Sequence, residues 1–262
     1  MGLKNSMVSL VSRLVGIEKA YKVVYHLRRD ELSAKLAAEC GNEVQHGPFA
    51  GMVLTDRASW ARGGDKASKL AGLYEAELHP ALRTACDRSP GWVINIGCAE
   101  GYYAVGLARM LPGARIFAFD IDPMARTVCA EAAGKNGVGD RLTVGGAATC
   151  EAISQIVGSA PFALIVMDCE GCEGELLDPA RVPELARCDI IAETHDCFVP
   201  NVTDTLIRRF RDTHEVEIIR AGSRDPAAVL PHWPERDRWL VVAEGRPAGM
   251  SWLACWSKAH RA

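Results

Sequence analysis

Two stretches of this chain collect residue types that could do chemistry, and the first is suited to holding a ligand. Val93-Ile94-Asn95-Ile96 is a run of strand-forming residues that passes into Gly97-Cys98-Ala99-Glu100-Gly101-Tyr102 and then into a helical pattern. Glycines at such a turn let backbone approach a ligand closely, and the amides of the helix N-terminus lie beside it. Asp120 ends the next strand-like run, about twenty residues on, where a carboxylate can accept hydrogen bonds from both hydroxyls of a ribose. Ile121 follows it. A dinucleotide fingerprint begun at Gly97 would require glycines two and five residues later, yet those positions hold Ala99 and Tyr102. A nicotinamide-dependent oxidoreductase is therefore a weaker reading of this loop.

The second stretch carries groups that could move a proton. Met167-Asp168-Cys169-Glu170-Gly171-Cys172-Glu173-Gly174-Glu175 and Ile191-Ala192-Glu193-Thr194-His195-Asp196 each continue an apolar, β-rich run, and open α/β sheets bind ligands at such carboxyl ends. His195 is the candidate base, because a neutral imidazole can accept a hydroxyl proton near neutral pH, with Asp168 and Glu193 as catalytic partners. The alternative for His195 is a loop histidine held by Glu193 or Asp196. Asp168, Glu193 and Asp196 could together hold Mg²⁺, since hard cations take carboxylate oxygens. Glu170 and Glu173, with Tyr74 and Glu75 from the N-terminal part, are candidates for binding an acceptor. Glu173 could instead serve only the dipole of the helix it begins.

The spacing Gly97-x-Ala99-x-Gly101 resembles motif I of the class I methyltransferases. Asp168, Glu170, Gly171 and Glu173 match the Asp-x-Glu-Gly-x-Glu box of the FkbM-type methyltransferase family residue for residue. Gly47-Pro48-Phe49-Ala50-Gly51-Met52 and Leu73-Tyr74-Glu75-x-Glu77-Leu78 resemble an N-terminal extension found in a subgroup. The resemblance implies S-adenosylmethionine as cofactor and O-methylation of a hydroxyl on a sugar, glycoside or other small secondary metabolite. It also implies cofactor contacts from Asn95, Gly97, Cys98, Ala99, Gly101, Asp120, Ile121 and Asp168. Asn95 stands where many class I enzymes have an acid. A noncatalytic regulatory protein that keeps cofactor recognition is a further alternative, because fold alone does not prove turnover.

These residues must be positioned by a sheet. From Trp92 onward, short β-rich runs alternate with helical patterns: strands are expected at Trp92–Ile96, Arg115–Phe119, Leu142–Val144, Phe162–Met167, Asp189–Glu193, His214–Arg220 and Trp252–Trp256. Asp122-Pro123 and Thr149 read as helix starts, and Asn136-Gly137 as a helix end. Pro226–Pro247 reads as a loop with a helix around Trp239–Glu244. The expected architecture is a doubly wound, mostly parallel, seven-stranded Rossmann-like sheet over residues 89–262. Residues 1–88 form a helical extension, in which the turn-like 47–52 segment is a candidate lid.

Composition narrows the partners. With 262 residues, 48% hydrophobic and a net charge of −3, the chain can bury a core and offers no basic face for nucleic acid. Lys4, Ser9, Ser12 and Arg13 interrupt the apolar N-terminus, so neither a signal-peptide core nor a membrane span is expected there, and a cytoplasmic protein is. Met7, Leu10, Val11 and Leu14 share one helical face, better suited to packing on the chain or on a neighbouring subunit of a homo-oligomer than to a membrane surface. The ten cysteines are scattered through apolar patterns, which predicts mostly reduced core thiols. Cys169 and Cys172 have no second pair, which argues against structural zinc.

Overall fold

The computed structural model describes residues 16–57, 65–244, 246 and 249–260. Met7, Leu10, Val11 and Leu14, on which the N-terminal packing face was expected, lie outside them. The extension contributes α1 (Ile17–Cys40), α2 (Lys66–Ala71) and α3 (His79–Asp87). Then follow β1 (Trp92–Ile96), α4 (Tyr102–Met110), β2 (Arg115–Phe119), α5 (Pro123–Lys135), β3 (Leu142–Gly145), α6 (Cys150–Ser159), β4 (Ala163–Met167) and α7 (Glu173–Leu176). β5 (Asp189–Thr194), α8 (Val202–Phe210), β6 (His214–Arg220), α9 (Glu235–Val242) and β7 (Ser251–Ser257) complete the chain.

The seven strands form one sheet in the order β3-β2-β1-β4-β5-β7-β6. Only β7 runs against its neighbours, pairing antiparallel with both β5 and β6. This is the expected doubly wound, mostly parallel sheet. Its strand order reverses between β1 and β4, and the carboxyl ends at such a reversal leave a crevice for a ligand. β4 is buried at every residue, as its unbroken Ala-Leu-Ile-Val-Met run requires of a central strand. Asp122 and Thr149 do cap helices, accepting from the amides of Met124 and Ala152. α9 begins at Glu235, earlier than expected, because Pro234 fixes the turn before it and Glu235 and Asp237 favour its first turn.

One face of the sheet is covered by α6, α8 and the segment after β4, through Ile153, Val157, Leu177, Leu206 and Phe210. The other is covered by α4, α5 and the extension, whose Leu32, Leu36, Phe49, Leu70 and Leu82 share a continuous core with Leu107, Ile116 and Val166.

The 47–52 segment corrects an expectation. It does not lie over the crevice; Phe49 is buried edge-on against Tyr102 and Tyr103, with centroids 5.1 and 6.0 Å away. Asn136 ties the same loop to the end of α5 by exchanging hydrogen bonds of 2.9 and 2.8 Å with the backbone of Val53. The loop is a buttress for α4, not a lid. Gly106 on α4 makes room for it, since a Cβ there would sit 2.4 Å from the Phe49 ring. Gly106→Ala is therefore expected to lower stability by about 1–3 kcal/mol through overpacking, outweighing the roughly 1 kcal/mol gain in helix propensity. Urea denaturation checks this, and an unchanged or raised midpoint would refute it.

Among the described residues, no helix is long and apolar enough to cross a membrane. α1 exposes Ile17, Tyr21, Val24 and Leu27 along its first turns.

Candidate active site

The ligand-holding half of the site begins where β1 stops. Gly97 adopts φ 75°, and a Cβ there would fall 1.6 Å from the carbonyl oxygen of Asp168, so only glycine can make this turn between the two central strands. The amides of Gly97 and Cys98 both donate to the carbonyl of Phe119, at 2.9 and 3.0 Å. Asp120 is held from two sides: Oδ2 accepts from Ala99 N and Oδ1 from Asp122 N, each at 2.9 Å. A carboxylate has lone pairs beyond those two bonds, so Asp120 is fixed in place while still able to accept from a ligand.

These groups line a cavity of about 630 Å³, which also takes in Ile121, Ala147, Ala148, Asp168, Glu170 and Tyr74. Three expected contacts fall elsewhere. Asn95 is buried in the sheet with its amide nitrogen on the Val166 carbonyl at 3.2 Å, away from the cavity wall. Cys98 is buried beside Cys129, and Gly101 opens α4 behind the loop, with the Cys129 sulfur 3.0 Å from where a Cβ would be.

The residues expected to move a proton sit at the ends of β4 and β5. His195 is fully buried, and its Nδ1 lies 2.5 Å from Oε1 of Glu173. That contact selects the tautomer in which Nδ1 carries the proton, leaving the Nε2 lone pair free. Nε2 has no hydrogen-bond partner and faces Asp168, Glu170 and Glu193, whose oxygens are 3.6, 3.5 and 3.5 Å away. Burial alone would lower the pKa of His195, but the hydrogen bond and charge of Glu173, with Asp168 and Glu170, outweigh it and raise the pKa. Burial raises Asp168, and burial together with Asp168 and Glu75 pushes Glu193 up to about 10.

The structure corrects several assignments. Glu173 is completely buried and holds His195, so it cannot bind an acceptor. Glu75 accepts from the Tyr103 hydroxyl and pairs with Arg246 at 2.6 Å; buried, it is pushed up to about 8. It is not in the cavity wall, whereas its neighbour Tyr74 is. Asp196 does not join Asp168 and Glu193; its carboxylate is held by the hydroxyl and amide of Thr203. His195 takes its place, and donor atoms of Asp168, Glu193 and His195 all lie within 4.8 Å of one another. Cys169 and Cys172 are joined as a disulfide at the rim of the cavity, and the other eight cysteines are free.

Sequence reasoning passed over Arg246, which donates to Glu193 and, at 3.0 Å, to Glu244, and so links the end of β5 to the extension through Glu75. It also passed over Asp65 and Lys69. Their i, i+4 spacing puts them on one helical face and was a usable signal.

No family model matches the chain. A stretch of 85 residues is 38% identical to the ribosomal protein L11 methyltransferase of Brucella suis, covering 32% of this chain and 28% of that protein. The chain thus spans less than a third of this curated relative. Among solved structures, it is similar to a putative O-methyltransferase from Klebsiella pneumoniae at 13% identity, with 89% of each chain covered and a TM-score of 0.48. It is similar also to an O-methyltransferase from Streptomyces achromogenes solved with S-adenosylmethionine, at 15% identity, covering 74% of this chain and 88% of that one with a TM-score of 0.45.

Proposed function

We propose that the chain is an S-adenosylmethionine-dependent methyltransferase of FkbM type, acting on a hydroxyl of a sugar, glycoside or similar small molecule. The observation that carries this reading is the buried Glu173–His195 pair: His195 does not itself line the cavity that holds Asp120, but its Nε2 lies 3.6 and 3.5 Å behind the carboxylates of Asp168 and Glu170, which do. The cofactor supplies an activated methyl on a sulfonium, so the chain has to hold it, align an acceptor oxygen and remove one proton. Asp120 takes the ribose and the Gly97–Ala99 backbone lies along the cofactor. Glu170, with its carboxylate largely exposed, and Tyr74 hold the acceptor. His195 Nε2 takes the hydroxyl proton as the oxygen–carbon bond forms and the sulfur keeps the electron pair of the broken bond. Glu173 keeps the imidazole in the required tautomer and stabilises the imidazolium. Residues 1–88 are, in this reading, an extension that completes the cavity of the 89–262 domain.

Transfer of radiolabelled methyl from S-adenosylmethionine to a panel of sugars and hydroxylated metabolites tests this. Label in an acceptor is expected, and cofactor binding with no product from any acceptor would favour a regulatory binding protein.

A second reading rests on the grouped donors of Asp168, Glu193 and His195. Two carboxylates and an imidazole suit Mn²⁺ or another borderline cation better than the Mg²⁺ expected for three carboxylates. A metal there would occupy Nε2 and activate the hydroxyl itself. Dialysis against EDTA separates the two. Unchanged activity is expected if His195 is the base, whereas activity lost and then restored by Mn²⁺ would make His195 a ligand.

A further inference from the structure

Asp65 and Lys69 belong to the extension, yet both reach the wall of the cavity. Lys69 is almost completely buried, with its ammonium donating to Glu100 and lying 4.4 and 5.5 Å from the ring centroids of Tyr74 and Tyr102. Burying a lysine is costly unless its charge is matched, so a position held by an acid and two aromatic faces is a built one. Among the described residues, Oε2 of Glu100 and Oδ1 of Asp65 are buried without a hydrogen bond, though Asp65 has an ion pair with Arg29 at 3.6 Å. Among the described residues of the wall, Lys69 is the only cation, and every other charged residue is a carboxylate.

That imbalance constrains what a bound molecule can present. An anionic group has one charged side chain to pair with in this wall, while a cationic group has many. Glu100 directly follows Ala99, whose amide donates to Asp120, and accepts from Lys69, so Lys69 and Asp65 share one cavity wall with Asp120. Building on the methyltransferase reading, we infer that Lys69 and Asp65 recognise the amino-acid end of the cofactor: Lys69 donates to its α-carboxylate, and Asp65 accepts from its α-ammonium. The extension is then part of the cofactor site, and α2 has a binding role as well as a packing one.

Calorimetric titration with S-adenosylhomocysteine and with 5′-methylthioadenosine, which lacks the amino-acid end, tests this. The wild-type chain is expected to bind S-adenosylhomocysteine at least about tenfold more tightly. Lys69→Met, made together with Glu100→Gln so that no buried carboxylate is stranded, should weaken S-adenosylhomocysteine about tenfold and leave 5′-methylthioadenosine within about twofold. Asp65→Asn should show the same selectivity and serves if the double variant does not fold. Equal weakening of both ligands, or of neither, would overturn the inference. So would a wild-type chain that binds the two equally, which leaves the methyltransferase reading standing. A wild-type chain that binds neither removes both.

Discussion

His195→Ala is expected to lower kcat by about 10²–10⁴ while leaving cofactor affinity nearly unchanged, because the imidazole is the proposed base and not a wall of the nucleoside subsite. Nε2 is buried and, among the described residues, has no hydrogen-bond partner. The base must be neutral to accept a proton. Activity should therefore fall as pH drops through the pKa of His195, which lies above the ordinary histidine value of 6.5. Glu173→Gln removes the charge that raises that pKa, so the acidic limb should move to lower pH as kcat falls. Steady-state pH profiles of the wild type and Glu173→Gln check both statements. A His195→Ala variant with kcat within about twofold of wild type would remove His195 from the chemistry.

Asp120→Ala should weaken S-adenosylmethionine and S-adenosylhomocysteine by at least about tenfold, and by about a hundredfold if both ribose bonds are lost. Hydrogen bonds to a charged acceptor contribute about 1.5–3 kcal/mol each. The same substitution removes the acceptor for the amides of Ala99 and Asp122, which loosens the loop that lines the cavity. Because ribose is common to both ligands, 5′-methylthioadenosine should lose affinity in step with S-adenosylhomocysteine, unlike the response to Lys69→Met. Equilibrium dialysis gives the comparison, and affinities within about twofold of wild type would place the ribose elsewhere.

The parts of this site that are legible in the sequence are those whose signals are local. Gly97 and Asp120 each end a strand, and their spacing carries the information. The Glu173–His195 pair joins residues 22 apart across two strand ends, and Arg246 reaches Glu75 across 171. Neither association has a local signature. Asp196 shows a different failure. β5 ends at Thr194 and Asp196 lies in the turn beyond it, where Thr203 holds both residues through its hydroxyl, while Glu193 and His195 converge with Asp168. That pairing with Thr203 keeps Asp196 from a cluster with Glu193. The 47–52 segment, with its glycines and proline, reads as an exposed turn because nothing in its own sequence shows that Gly106 leaves a socket for Phe49.

The measurement that bears most directly on the central claim is titration of the wild-type chain with S-adenosylhomocysteine and NADH in parallel. The site described here predicts saturable binding of S-adenosylhomocysteine and none of NADH, because Ala99 and Tyr102 occupy positions where the dinucleotide fingerprint needs glycine. Preference for NADH, or no binding of S-adenosylhomocysteine, would contradict the assignment of the Gly97–Asp120 crevice and with it the proposed activity.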